Sequence, residues 1–485
     1  MNMGKYAVKS VRGILSLTAK ARSSSKAASP VPDGVFDCIS SPPGKCYSAG
    51  FGRAAILPDD IGKRKYYVAG YNLNNPASGV LDTPYAHAVW LDDNSGRGGV
   101  VFVSIDNVGM LSDDVNFIRD SLRSFVRETG CRSVNIMSTH SHAGIDTMGI
   151  WGPLPLTGRD KRYMELVRAG VRTAVLKAYG DRRDGDLYHG TVEVPDMQKD
   201  NRTPYVYSKT LTRLRFAPRD GSRDIYIVNF ASHSESLTGD NSLVSADFPG
   251  YFRDKIRRQT GAETVYFVGA IGGMITMKLL DEDRPKSTRM IGENLADYAL
   301  SIKKEKKLKP DISFMTQRFY FEADNTVLML AGITRILKVS EYCDKQTSLG
   351  YCLMSEMSYF EIGGLKLLLL PCELFPELAF GGFLPAEESA TGKGAEVNPA
   401  VLTDICGDDK LLIFGLANDE VGYVIPPNDF LLDESLAYLE RAKDIHGRNH
   451  YEETNSLGPK TALTIAETFE KMYNAAQQAK TTLQG

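Results

Sequence analysis

The chain has 485 residues, of which 42% are hydrophobic, and a formal net charge of −3. That profile belongs to a globular protein with ample core and excludes the basic footprint of a nucleic-acid binder. No apolar run approaches the roughly 20 residues that a bilayer crossing needs, the longest, such as Leu365 to Leu370, being strand-sized, so no transmembrane segment is expected.

Residues 1–45 stand apart. Lys5, Lys9, Arg12, Lys20, Arg22 and Lys26 accompany Ser23 to Ser25, and the first acid is Asp33. The segment reads as a basic, flexible tail, since Gly13 to Ala19 is too short and too interrupted for a signal-peptide core. The seven cysteines are odd in number, scattered and never in a CxxC spacing, which favours free thiols in a reducing, cytoplasmic setting without excluding secretion. Residues 46–485 carry no linker-like break and are expected to form one large domain.

Beyond about Gly50, strand-like and helix-like segments alternate, which predicts an α/β architecture. Gly99 to Ile105 is a β-branched strand. The helix after it starts at Ser112, carries Val115, Ile118, Leu122 and Val126 on one face, and stops at Gly130. Strand Ser133 to Met137 then delivers Thr139 and His140 at its carboxyl end. Ile225 to Phe230 leads to His233, and Asp247 caps a helix from Phe248 to Arg258. Strand Thr264 to Val268 opens into the turn holding Gly269, Gly272 and Gly273. Leu365 to Leu370 leads to Glu373, and Leu411 to Leu416 leads to Asn418, Asp419 and Tyr423. The Lys303 to Lys309 charge run is expected to be a solvated connector. Several strands thus end beside groups that bind metals or move protons, and α/β folds converge such ends on one site.

Only seven histidines occur in the chain, and His140 and His142 form HxH, a spacing that points both rings to one side of an extended segment. The surrounding string NIMSTHSHAG (135–144) resembles the THTHSGP-type segment of the neutral/alkaline non-lysosomal ceramidase family. Further strings are similar to motifs of that family in the same order: DNRTPYVY (200–207), ASHSESLTGDNSLVSADFPGY with Ser245, Asp247 and Gly250, LLLLPCE ending at Glu373, ANDEVGYVIP around Tyr423, and YEETNSLGP from Tyr451.

The resemblance implies an αββα-type layered sandwich with mixed sheets and a single Zn²⁺ held by His140, His233, Glu373 and Tyr423. Two imidazoles, a carboxylate and a phenol suit a catalytic zinc with an open position for water. It further implies that His142, Arg202, Thr276 and Tyr451 handle substrate and transition state, and that zinc-activated water cleaves a linear amide in ceramide or another small-molecule or lipid N-acyl compound. A metal-dependent esterase or phosphoesterase, or an impaired zinc-binding homologue, remains an alternative, and the oligomeric state stays open.

Departures from the family pattern accompany the matches. IGGMITMK (271–278) replaces NxGDVSPN and sets Thr276 where the family has serine. GVLDTPYAHA (79–88) has Leu81 and Thr83 where a histidine and an arginine are expected. The chain ends after the Ala- and Gln-rich helical stretch 466–480, so the C-terminal immunoglobulin-like domain of the family is not expected. The charged insertion LDESLAYLERAKDIHGRNH (432–450) is expected to form a lid or a partner-binding helix.

Overall fold

Two β-sheets lie face to face, and helices cover both outer faces. The protein is represented by a computed structural model that describes residues 3–38 and 44–484. The nine-stranded sheet runs in the order Glu263–Val268, Ile225–Phe230, Thr210–Pro218, Arg183–Glu193, Tyr47–Ala55, Tyr85–Asp92, Val100–Ile105, Ser133–Ser138, with Lys306–Lys307 added to Arg183–Glu193. Its two end pairs are parallel and its middle is antiparallel. A five-stranded sheet contains Ile312–Glu322, Tyr351–Ile362, Leu365–Leu369 and Leu412–Phe414, with Glu341–Cys343 at its side.

One buried cluster joins the facing sides of the two sheets. It contains Phe102, Leu214, Ile227 and Phe267 from the large sheet and Phe314, Phe360, Leu369 and Phe414 from the small one. The rings of Phe102 and Phe360 lie 5.3 Å apart and those of Phe267 and Phe414 4.9 Å apart, spanning the interface. On the outside of the large sheet, helix Lys161–Gly180 contributes Val167, Val171 and Val175 to a second cluster. It sits so close that a Cβ on Gly50 or Gly52 would lie 2.2 or 2.1 Å from its carbonyl oxygens, so only glycine permits the approach. Helices Phe248–Thr260 and Arg284–Ser301 cover the same sheet further along. Helix Thr461–Gln484 buries Ile465, Phe469 and Met472 against the small sheet. This is the expected αββα sandwich.

The N-terminal segment departs from the expected flexible tail. Met3–Arg22 is a helix, because Val11, Leu15 and Ala19 recur every fourth residue and pack against Met329 and Tyr351, leaving Leu15 2% exposed. Arg12 pairs with Asp324 at 2.8 Å and Arg22 with Glu341 at 2.7 Å, so part of the basic charge is structural. The helix expected after Ser112 is split into Ser112–Ser121 and Arg123–Thr129 at Leu122, and Gly130 ends it in a left-handed conformation, φ 68°. The insertion 432–450 holds no helix. Its Ala442–Lys443 and Asn449–His450 form a small hairpin, and Arg441 borders the central cavity. All seven cysteines are free thiols. Among the described residues no helix is long and apolar enough to cross a membrane.

Candidate metal centre and substrate cavity

Two histidine-bearing segments run side by side at the strand ends. Ser141 and Ser234 form a parallel bridge, and the His142 N–H donates to the Ser234 carbonyl at 2.9 Å. His140 itself takes φ 58°, an unfavourable conformation for a non-glycine residue that the surrounding packing must hold. Glu373 arrives on the short strand Glu373–Leu374, which pairs parallel with Tyr423–Val424 so that Glu373 and Tyr423 are register partners.

The imidazoles are oriented from behind. His140 Nδ1 lies 2.6 Å from the Val108 carbonyl and His233 Nδ1 2.9 Å from the Ile275 carbonyl. A carbonyl only accepts, so each Nδ1 carries the proton and each Nε2 presents a lone pair forward, the usual preparation of a metal-binding histidine. Both lone pairs meet the Glu373 carboxylate. Its Oε2 stands 3.4 Å from His140 Nε2 and 2.9 Å from His233 Nε2, while His142 Nε2 is 3.0 Å from His140 Nε2. The ligand atoms of the three histidines lie within 4.8 Å of one another.

This donor set fits a small divalent cation. Bonds of about 2.0–2.1 Å in a tetrahedron place neighbouring ligand atoms about 3.3 Å apart, close to the spacing observed. Acceptors facing one another at such distances in a buried site also need a positive charge between them. Burial opposes the charging of His233, but Glu373 outweighs it and raises the imidazole's pKa. Burial likewise works to raise Glu373, and the two imidazoles overcome it to hold the carboxyl below its usual range. His142, by contrast, is kept neutral by burial and by the neighbouring imidazoles.

The centre opens into a cavity of about 620 Å³. Its walls are largely apolar, with Leu111, Met148, Trp151, Leu328, Leu353 and Leu457. Tyr423 borders it with its hydroxyl 3.2 Å from the Met274 sulfur, and burial pushes that phenol well above its ordinary pKa. Tyr451 lies beside Tyr423, ring centroids 6.2 Å apart, with its hydroxyl buried at the wall.

Two of the expected substrate-handling residues sit elsewhere. Arg202 is absent from the cavity wall. Its guanidinium is held by Asp429 at 2.9 Å, Glu452 at 2.8 Å and Glu453 at 3.1 Å, and it stacks 5.0 Å from the Phe375 ring centre. Proximity in sequence misleads here because Asn201, one residue earlier, is the one that lines the cavity. Thr276 lies on a two-residue strand paired with Lys199 and bridges the His233 backbone, and the cavity wall takes Met274 from this loop instead.

Sequence reasoning also missed Tyr71, Glu235 and Gly70. The Tyr71 hydroxyl donates to Glu235 at 2.6 Å, and that carboxylate lies 3.8 Å from His142 Nδ1. Glu235 follows His233 by two residues, so an H-x-E reading around the second histidine could have found it. Gly70, at φ 103°, lets the His142 ring approach so closely that a Cβ would lie 2.5 Å from His142 Cβ and Cγ. No sequence signal marks that position.

Comparison with known proteins points the same way. Residues 47–273 match the family described as neutral/alkaline non-lysosomal ceramidase, N-terminal. Over those residues the chain resembles the neutral ceramidases. It is 25% identical over 183 residues to neutral ceramidase B of Dictyostelium discoideum, covering 34% of this chain and 25% of that protein. It is 25% identical over 227 residues to neutral ceramidase of Drosophila pseudoobscura pseudoobscura, covering 42% of this chain and 31% of the relative. The matched segments thus span about a third or less of these relatives' lengths. The fold is shared with the crystal structure of neutral ceramidase from Pseudomonas aeruginosa, with a TM-score of 0.68 at 17% identity over 90% of this chain and 75% of that one. A ceramidase complexed with C2 superposes with a TM-score of 0.67 at 15% identity, over 90% and 76% of the two chains. The chain therefore shares its fold with these two structures.

Proposed function

We propose that this chain hydrolyses the amide bond of an N-acyl lipid, with ceramide as the reference substrate, using one zinc ion held by His140, His233 and Glu373 with Tyr423 beside them. The observation that carries the reading is the meeting of two backbone-anchored imidazoles and a carboxylate, of which His140 and Glu373 line an apolar cavity. When bound, the ion supplies a Lewis acid beside the scissile carbonyl and acidifies water at its open position.

The chain's own groups account for the remaining needs of amide cleavage. The apolar walls take up the acyl chain and exclude water, which strengthens each polar contact at the floor. Neutral His142 can accept a proton at Nε2 and release it to the departing amine, with Glu235 near its Nδ1 to favour the charged form in passing. The Tyr451 hydroxyl, on a residue that lines the cavity, would donate to charge that develops on the carbonyl oxygen. A two-metal phosphoesterase is less well supported, because the described residues contain a single cluster of this kind.

The test combines metal analysis of the purified protein with fatty-acid release from a panel of N-acyl substrates, with and without chelator. Turnover and metal should both be lost in His233→Ala and kept in His189→Ala, whose imidazole lies on strand Arg183–Glu193. Stoichiometric zinc with no hydrolysis of any amide or ester would refute the enzymatic reading and favour a zinc-binding homologue.

A further inference from the structure

A second polar cavity, of about 170 Å³, lies away from the metal centre where strands Tyr47–Ala55, Tyr85–Asp92 and Glu263–Val268 meet helix Phe248–Thr260. The strand register sets Arg53 directly opposite His87. His87 is 3% exposed, its ring lies between Phe51 and Tyr85 at 6.0 and 5.6 Å, and its Nδ1 is buried without a partner among the described residues. From the helix, Arg253 is 7% exposed and spends Nη2 on Asp106 at 2.7 Å, leaving Nη1 buried and unpartnered. The Thr264 hydroxyl on the third strand is likewise buried without a partner. The Arg53 guanidinium lies 5.2 Å from the Tyr85 ring centre and forms no ion pair among the described residues.

The carboxylates around this space are already engaged. Asp82 accepts from the Ser245 hydroxyl and from the Ala246 N–H at 2.8 Å. Asp254 pairs with Arg257 at 3.1 Å, and Glu263 faces Arg223 at 3.7 Å. What remains uncommitted is a set of donors: one edge of Arg253, the Arg53 guanidinium, the Thr264 hydroxyl and an imidazole. Buried donors are rarely left unmatched, and the half-buried Arg53 adds a positive charge at the mouth of this space.

We propose that this cavity is a binding site for a small tetrahedral oxyanion of the phosphate class. Its arginines and threonine would donate to the phosphoryl oxygens in charge-assisted hydrogen bonds. Burial and the guanidiniums of Arg253, Arg53 and Arg257 hold His87 neutral, so its ring offers an acceptor nitrogen as well as an N–H. That acceptor matches the proton of hydrogen phosphate, which sulfate lacks, and phosphate is favoured over sulfate. The site is separate from the proposed hydrolytic chemistry and does not depend on it.

The proposal is tested by calorimetric titration of the full-length protein with inorganic phosphate, sulfate and glycerol phosphate. Saturable phosphate binding is expected, weaker by roughly tenfold or more in Arg53→Met and in the near-isosteric Thr264→Val, which each remove a donor. Sulfate is expected to bind more weakly than phosphate, and His233→Ala to bind phosphate as the parent does. Glycerol phosphate distinguishes the source: tighter binding than phosphate identifies a phosphomonoester group, weaker binding identifies free phosphate. Absence of saturation up to about 10 mM phosphate, equal binding by both donor-removing variants, or loss of binding in His233→Ala would each overturn the assignment. A thermal melt of Thr264→Val that matches the parent guards against a folding defect.

Discussion

Replacing Arg202 by methionine would leave Asp429, Glu452 and Glu453 facing one another in a space where the guanidinium now serves all three. Glu452 has no other ion-pair partner among the described residues, and Glu453 keeps only His450, at 2.9 Å. Removing one partner of a buried ion pair costs about 3–5 kcal/mol, because the remaining charge stays desolvated. Unfolding entropy of about 2.1 cal/mol/K per residue over 485 residues gives about 1 kcal/mol per degree, so the melting point should fall by about 3–5 °C. The measurement is scanning calorimetry of Arg202→Met and Arg202→Lys at neutral pH and again near pH 5. The lower pH should recover part of the loss, since burial already raises the pKa of Glu452 and its protonation removes one unpaired charge. An Arg202→Met variant that melts with the parent but shows a raised KM would refute this structural role and return the guanidinium to substrate binding.

Other consequences can be measured directly. Burial raises the Asp419 pKa from 3.8 to about 7, so the folded protein binds more protons than the unfolded chain between those values, and the destabilising effect grows as pH rises through them. Asp419→Asn should therefore gain stability over the parent from about pH 4 to 7, levelling off above, with an upper bound of about 4 kcal/mol by denaturant titration. A gain that shrinks with rising pH would contradict the sign. Gly70→Ala pushes a methyl into His142, and metal content should persist while kcat drops by roughly a hundredfold, the scale of a 1 Å misplacement; unchanged kcat would show that the ring has room to yield. Met148→Trp fills part of the 620 Å³ cavity and should shift the preferred acyl chain toward shorter homologues in a chain-length series.

Local pattern carried much of the architecture. The β-branched runs at 100–105 and 225–230 and the Asp247 cap were legible because strand periodicity and capping depend on residues close in the chain. The motif residues His140, His233, Glu373 and Tyr423 could likewise be named from short strings. That His140, His233 and Glu373 come together could not be read there, since it depends on the Ser141–Ser234 bridge and the pairing of the Glu373 strand with Tyr423–Val424, contacts between segments far apart in sequence. Local reading failed where the tertiary environment reassigns a side chain. Arg202 carries the same string whether it faces substrate or three buried carboxylates, and only the arrival of Asp429, Glu452 and Glu453 from more than two hundred residues away decides between them. Residue types and spacing thus determined which elements form and which groups have metal chemistry. Long-range packing decided which of those groups share a desolvated space, because burial and partnership are properties of the assembled chain.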